Sequence, residues 1–360
     1  MANESIESRK LLIVLGSMGR GGAERVISHI SNYLAEKGWQ IWIAVLLSGK
    51  VGYQLHPNVQ IVDLSGATQS RIKRLPYWFS SLRKLTAQVQ PDSILSFAAR
   101  INVIVQMACL GQNKKIIVSE RNDPYMDGRS KLVDLLTSLL YPRAKAVVFQ
   151  TKRAASYFSM LKLQNSVIIP NPVFIQHGKK AEHKGKIVTV GRLTQQKNQQ
   201  MLIDAFAEIK KRFPYAELHI FGEGEFREAL TSKAKALGLS GCVFLPGNLK
   251  DVHVHIADAG IFVLPSDYEG LSNALLEAMA IGLPCISTRC AGAEDCIVHG
   301  ESGLLVDVGD KDGLTQAMVR MLEDDAFRAA CGARAEQAAK AFSADVILPQ
   351  WENIIWNPQN

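Results

Sequence analysis

Two carboxylates, Glu269 and Glu277, stand eight residues apart in the stretch IFVLPSDYEGLSNALLEAMAI, residues 261–281. Residues 261–264 read as a short apolar strand that breaks at Pro265, Ser266 and Gly270. A helix restarts near Ser272, with Leu275, Leu276 and Met279 at helical spacing. Glu269 falls in the turn and Glu277 two turns into the helix. A turn that feeds a helix start leaves backbone N–H groups unbonded and turns the positive end of the helix dipole outward. The amides at Gly270, Leu271, Ser272 and Asn273 therefore suit an anion, while the two carboxylates can accept from hydroxyls. Amides for phosphate and carboxylates for hydroxyls together suit a nucleotide-linked sugar. Alone, the pair reads sooner as a capping residue and a solvated helix face, because acids are common near helix starts.

Those carboxylates need a frame that turns several loops toward one edge, and the second half of the chain has that pattern. Residues 186–190 read as a strand ending in Gly191-Arg192-Leu193-Thr194-Gln195-Gln196-Lys197-Asn198, ahead of a helix through residue 211. Residues 216–221 end in Gly222-Glu223-Gly224, and residues 243–245 end in Pro246-Gly247-Asn248. Residues 285–288 lead into Ala291-Gly292-Ala293-Glu294-Asp295, and residues 303–306 form a last short strand. Strands alternating with helices imply an α/β unit with a parallel sheet, whose ligands sit at the carboxyl ends of the strands. Nearly every such end carries glycine beside a charged or polar residue, a repetition that turn formation alone does not explain.

The first half repeats the pattern. Residues 10–15 are a buried-type strand, followed by Gly16-Ser17-Met18-Gly19-Arg20-Gly21-Gly22 and an amphipathic helix over 23–37. Four glycines in seven residues let backbone approach a ligand closely. GxGxxG is missing, so the dinucleotide fingerprint of an oxidoreductase is absent. Further strands are expected at 41–47, 59–64, 92–97 and 116–118, with an apolar helix over 102–110. The run Ser119-Glu120-Arg121-Asn122-Asp123-Pro124 is expected in the loop after the 116–118 strand, on the ligand side. Strands at 146–150 and 167–169 precede Pro170-Asn171-Pro172, which with the polar stretch 176–186 marks a domain boundary.

Between Asp63 and Asp92 the chain has no acidic residue. Residues 70–89 place Trp78, Leu82, Leu85 and Val89 on one helical face, with Arg71, Lys73, Arg74, Arg83 and Lys84 supplying five positive charges. Pro76 suits the first turn of such a helix. One reading is a membrane-surface helix, on which each cation near anionic lipid contributes about 1 kcal/mol. The other is a surface helix packed on its own domain, since periodicity does not say what covers a face.

The 360 residues provide for two domains, and 47% hydrophobic content provides for their cores. The net charge of +7 is uneven. Residues 1–170 carry 22 Lys/Arg against 10 Asp/Glu, a balance of +12, and residues 171–360 carry 19 against 24, a balance of −5. The basic half should face lipid headgroups, nucleic acid or a phosphorylated substrate. The six cysteines show no metal or redox spacing and read as reduced core residues of a cytosolic protein. The polar start, MANESIESRK, is no signal peptide, and no apolar run is long enough to span a bilayer.

Gly191-Arg192-Leu193 with Lys197, Gly222-Glu223-Gly224, Glu269 with Glu277, and Gly303-Leu304-Leu305-Val306 resemble the retaining glycosyltransferases of family 4. Gly21-Gly22-Ala23-Glu24 and Ile169-Pro170-Asn171-Pro172 match as well, so the resemblance spans the whole chain in order. Ser119-Glu120-Arg121-Asn122 resembles members that add hexoses or N-acetylhexosamines to lipid-linked sugars. Many members place a histidine near here as a sugar contact; Arg121 stands in that neighbourhood, so no catalytic histidine is assigned.

The resemblance implies a GT-B fold, two Rossmann-like doubly wound parallel-sheet domains facing across a cleft. It implies an acceptor-binding domain over 1–170, a nucleotide-sugar domain over 171–341, and a C-terminal helix, 342–360, crossing back to the first. The activity implied is transfer of a sugar from a UDP-sugar with retention of configuration. Arg192 and Lys197 would stabilise the leaving diphosphate, Glu277 would hold the ribose, and Glu269 would bind the donor sugar near the reaction centre. Gly21, Gly22 and Gly222 would approach the diphosphate, and the loop with Gly247, Asn248 and Val252 would receive the base. With two fixed cations and a helix dipole no metal or other cofactor is expected. The implied acceptor is a polyprenyl-diphosphate-linked sugar, contacted by Arg71, Arg74, Arg83 and Lys84 and by Glu120, Arg121 and Asn122. The partners are then the donor, that acceptor and an anionic membrane surface, without nucleic acid, at the cytoplasmic face of the inner membrane. Rival readings are a transferase with a soluble acceptor, a nucleotide-sugar epimerase of the same fold, and a nucleotide-sugar-binding protein without catalysis.

Overall fold

The computed structural model describes residues 9–19, 21–66, 71–174 and 183–357. The side chains of Arg71 and Lys73 lie outside the described residues. The chain forms two compact units: residues 1–172 together with 345–360, and residues 173–344.

In the first unit the order is β1 (Lys10–Met18), α1 (Gly22–Glu36), β2 (Gln40–Val51), β3 (Val59–Asp63), α2 (Arg71–Val89), β4 (Ser93–Phe97), and α3 (Ala99–Ala108). Then follow β5 (Lys115–Glu120), α4 (Lys131–Leu140), β6 (Ala146–Phe149), α5 (Lys152–Tyr157) and β7 (Ser166–Ile168). The second unit opens with β8 (His183–Val190), α6 (Gln199–Arg212), β9 (Glu217–Phe221), α7 (Arg227–Ala236), β10 (Val243–Gly247) and α8 (Val252–Ile256). It continues through β11 (Ala259–Leu264), α9 (Asn273–Ala280), β12 (Cys285–Thr288), α10 (Ala291–Cys296), β13 (Leu304–Val306), α11 (Lys311–Glu323) and α12 (Asp325–Ala339). A last helix, α13 (Ala344–Trp356), returns the chain to the first unit.

Among the described residues the first unit holds a seven-stranded sheet, β3-β2-β1-β4-β5-β6-β7, and the second a six-stranded sheet, β10-β9-β8-β11-β12-β13. Every strand pair is parallel, as the alternation of strands and helices requires. Helices on both faces bury the central strands completely: Leu11 to Val14 in β1 and Ile261 to Val263 in β11 have no exposure. Alternate residues feed opposite cores, so Ile187 and Ile261 face one layer while Val188 and Phe262 face the other. The strand order reverses between β1 and β4 in the first sheet and between β8 and β11 in the second, and such switch points open a crevice at the carboxyl ends.

α2 settles the open reading of the basic helix. Trp78, Leu82, Leu85 and Val89 are buried against Leu12, Val14, Ala44 and Ile94, so its apolar face covers its own domain. Pro76 lies inside the helix rather than in its first turn. α13 is anchored within the first unit by Trp351, stacked on Phe97 at 5.6 Å, and by Ser93 Oγ, which donates to the Ile355 carbonyl at 2.7 Å. Trp356 packs edge-on to Trp39 beneath the Arg9 guanidinium, 4.1 Å from its ring.

Candidate active site

β8 and β11 are neighbours at the switch point of the second sheet, so the loops that leave their carboxyl ends meet. Lys197 from the first loop and Glu269 from the second form a largely buried ion pair. Glu269 also accepts from Ser266 Oγ at 2.8 Å, and the Ser266 carbonyl accepts from Thr288 Oγ1 at the end of β12. The loops are joined again where Gln196 Nε2 donates to the Tyr268 carbonyl at 2.8 Å and the Asp267 amide donates to the Gln196 carbonyl at 2.9 Å. Asn198 does two things. Its side chain accepts from the Met201 amide as the cap of α6 and donates to Asp267 at 2.7 Å. Cys290 lies close enough for the Glu269 charge to act on its thiol; burial first, and that carboxylate second, push it up to about 11.

Close backbone contacts fix the neighbouring loops. The Gly191 amide bonds the Phe221 carbonyl and the Gly222 amide bonds the Gly247 carbonyl, at 2.9 and 3.0 Å. A Cβ on Gly222 would fall 1.9 Å from the Gly191 carbonyl oxygen, and one on Gly224 2.3 Å from that of Leu193. Only glycine permits these approaches. Arg192 leaves this braced loop with its side chain exposed, while its carbonyl accepts from Gln199 Nε2 at 3.0 Å. Ser272 caps α9, accepting from the Leu275 amide, so the amides of the α9 amino end lie on the same edge as Lys197 and Glu269. Leu271 and Ser272 are buried, and Gly270, Asn273 and Glu277 are partly exposed. Asn248 is exposed beyond Gly247, and Val252 opens α8. Among the described residues no group of three His, Cys, Asp or Glu side chains is placed to hold a metal ion.

In the first unit Gly21 caps α1 through backbone alone, its carbonyl accepting from the Tyr53 hydroxyl at 3.0 Å. The Ser119-to-Asn122 run is placed differently from the sequence expectation. β5 runs two residues further than expected, with Ser119 paired to both β4 and β6 and Glu120 to β6. Glu120 is buried, pairs with Arg129 at 3.0 Å and accepts from the Tyr141 hydroxyl. Burial raises its pKa, against the pull of Arg129 and Tyr141. Burial also opposes the Arg129 charge, but Asp127 and Glu120 more than offset it and raise that pKa. Arg121 is buried between Phe97 and Trp351, 5.3 and 5.8 Å from the ring centres, and donates to Asn171. Burial lowers it to about 9, still charged at neutral pH. Glu120 and Arg121 are thus braces of the first unit; of that run Asn122 is exposed. Arg83 is likewise structural, donating to the Ala108 and Leu110 carbonyls at the end of α3 at 2.9 and 3.1 Å. Arg74 is half-buried, 6.0 Å from the Trp78 ring, and Lys84 is exposed.

Two family models match this chain, Glycosyltransferase Family 4 over residues 20–177 and Glycosyl transferases group 1 over residues 172–338. A Campylobacter jejuni protein, N-acetylgalactosamine-N,N'-diacetylbacillosaminyl-diphospho-undecaprenol 4-alpha-N-acetylgalactosaminyltransferase, is 32% identical over 93% of this chain and 96% of its own length. The chain belongs to the family 4 glycosyltransferases. A second C. jejuni protein is similar to this glycosyltransferase at 26% identity over 98% of the chain and 99% of its own length. It is a GalNAc-alpha-(1->4)-GalNAc-alpha-(1->3)-diNAcBac-PP-undecaprenol alpha-1,4-N-acetyl-D-galactosaminyltransferase. Among solved structures, sucrose-phosphate synthase from Thermosynechococcus elongatus has a TM-score of 0.83 at 17% identity, covering 96% of this chain and 98% of that one. HepE from Anabaena in complex with UDP has a TM-score of 0.81 at 18% identity, with the same coverage. These likenesses show the fold, GT-B, with its two Rossmann-like sheets.

Sequence reasoning passed over several residues around the Lys197–Glu269 pair. Ser266, Asn198 and Asp267 build the cluster around Lys197 and Glu269, and Asn198 directly before an apolar-periodic run is a readable helix-cap signal. Gly292 was also readable only as a turn, whereas a Cβ there would fall 2.1 Å from the Gly270 carbonyl oxygen and displace the turn that carries Glu269. In the first unit, Ala98 holds φ 75° at the carboxyl end of β4, beside the switch point, a conformation that costs about 1 kcal/mol or more for a residue with a Cβ.

Proposed function

We propose that this glycosyltransferase moves a sugar, GalNAc, GlcNAc or a hexose, from a UDP-sugar to an undecaprenyl-diphosphate-linked saccharide with retention of configuration. The observation that carries the donor half is the meeting of Lys197 and Glu269 at the β8–β11 switch point, beside the amino end of α9. A cation and helix amides meet a diphosphate there, and a carboxylate meets sugar hydroxyls. UDP bound to the structurally similar HepE supports the nucleotide, and the C. jejuni relatives, whose names specify undecaprenol-linked substrates, support the acceptor.

In this reading the bond from the sugar C1 to the diphosphate oxygen breaks and its electron pair leaves with the phosphate. The acceptor hydroxyl forms the new bond to C1 from the same face, and its proton passes to the departing phosphate oxygen. Lys197 and Arg192 oppose the charge that grows on that oxygen. A unit charge pair at about 4 Å contributes ~4 kcal/mol at an effective dielectric near 20. If it acts in the transition state alone, that is roughly a thousandfold in rate. Glu269 accepts from donor-sugar hydroxyls, Glu277 from the ribose, and Gly247, Asn248 and Val252 flank the base. We take the reaction to need no metal, the two cations serving as the electrophiles.

The test is a panel of UDP-, GDP- and ADP-sugars offered with a short polyprenyl-diphosphate-linked N-acetylhexosamine and, separately, with free sugars. The expected result is one UDP-sugar that extends the lipid, with the donor's anomeric configuration kept in the product. Extension of free sugars with none of the lipid would replace the acceptor, and an inverted linkage would overturn the mechanism.

A further inference from the structure

α4 turns an apolar stripe outward. Thr137 and Leu140 are its buried residues, whereas Leu132, Leu135 and Leu139 are 63%, 57% and 53% exposed. Spaced three and seven residues apart, these leucines share one face of the helix. The loop leading into α4 adds Tyr125 and Met126, each about half exposed. Tyr125 is held edge-on to Tyr157 of α5, with the Arg153 guanidinium over its ring, both at 4.8 Å. A cluster of exposed leucines on an ordered helix marks an interaction face.

The surrounding charge selects the partner. From residue 129 to residue 162 the chain carries seven Lys/Arg and one acid, Asp134. Asp134 is engaged by the Tyr157 hydroxyl at 2.8 Å. Lys131 at the start of α4 and Arg143 just past its end are exposed, as are Lys152 and Arg153 at the start of α5. Two such faces opposed would bring like charges together. An anionic bilayer instead takes leucines into its headgroup boundary and neutralises the cations beside them. The apolar face of α2 does not enter a bilayer, because it is covered by its own domain. No described helix is long and apolar enough to cross a membrane, so attachment through α4 is to the surface.

We propose that the Leu132, Leu135 and Leu139 face of α4, ringed by Lys131, Arg143, Lys152 and Arg153, docks this glycosyltransferase onto an anionic membrane. The inference rests on the lipid-linked acceptor of the proposed function and names the surface that brings the enzyme to it. It is tested with the full chain and a triple variant, Leu132→Gln, Leu135→Gln and Leu139→Gln. Both are sedimented with phosphatidylcholine vesicles with and without phosphatidylglycerol, and both are assayed on a short-chain acceptor in solution and a long-chain acceptor in vesicles. The wild type should bind the phosphatidylglycerol vesicles, more weakly as salt rises, and the variant should bind about tenfold more weakly. The variant should keep its turnover on the short acceptor and lose it on the vesicle-bound one, which also shows that it is folded. Equal vesicle binding by both proteins, or none by the wild type, would overturn the docking surface. So would a change in oligomeric state with vesicle binding intact, which would assign the face to a second copy. Vesicle binding that depends on the leucines, without turnover of any lipid acceptor, would support the surface and sink the acceptor reading.

Discussion

Lys197 is held inside its site by a carboxylate, whereas Arg192 stands exposed on the same loop. The two cations should therefore contribute differently. In the proposed function Arg192 would give the diphosphate one charge-assisted contact open to solvent, so Arg192→Ala should weaken UDP binding by roughly tenfold. Titration calorimetry reads this directly, and an unchanged affinity would remove Arg192 from the phosphate. Lys197 and Glu269 were legible in the sequence because charged residues after a short apolar strand stand out against it. The same logic put Glu120 in a loop, whereas it lies in β5. β5 is buried on both faces, so no alternation of apolar and polar residues marks where it ends, and two more residues take Glu120 into the sheet, while Arg121 follows the strand as expected but is buried.

The loops at the carboxyl edge of the second sheet are shaped by glycines as much as by charges. Gly224→Ala would set a Cβ 2.3 Å from the Leu193 carbonyl oxygen, backbone against backbone. The expected cost is about 1–3 kcal/mol of stability, read by urea denaturation, with weaker UDP binding as the loop carrying Arg192 and Lys197 shifts. Wild-type values for both would mean that the loops are not locked there. In the first unit the Glu120–Arg129–Tyr141 cluster gives a pH signature. Its raised pKa lets the folded chain keep a proton that the unfolded chain releases near 4.5, so this group's contribution to stability falls as pH rises from there toward the folded value. Glu120→Gln should remove that part of the slope, which paired denaturation curves across the window would show; parallel wild-type and variant profiles would contradict the shift. Helix periodicity was readable for α2, but not what covers it: tertiary packing made its stripe core. In α4 the same spacing does the opposite: Leu132, Leu135 and Leu139 face outward while Thr137 and Leu140 are buried.

Alternating strands and helices made two parallel sheets legible, because parallel strands need crossovers long enough to hold a helix. The pairing of β8 with β11 was not legible, since it joins segments about seventy residues apart and local propensity carries no trace of it. The return of α13 to the first unit rests on such distant contacts too. Trp351→Ala should remove a fully buried side chain from under Arg121 and beside Phe97, lowering stability by about 3–5 kcal/mol while leaving UDP binding at the second sheet unchanged. Thermal and urea unfolding of the full chain check the first part and calorimetry the second; a silent substitution would show that α13 is not an anchor. The central claim joins both scales, that the switch-point pair drives sugar transfer, and its most direct measurement is single-turnover transfer from the productive UDP-sugar by wild type and Lys197→Ala. A fall of roughly a thousandfold, with the donor still bound at saturation, is predicted. Turnover within a few-fold of wild type would place the chemistry elsewhere.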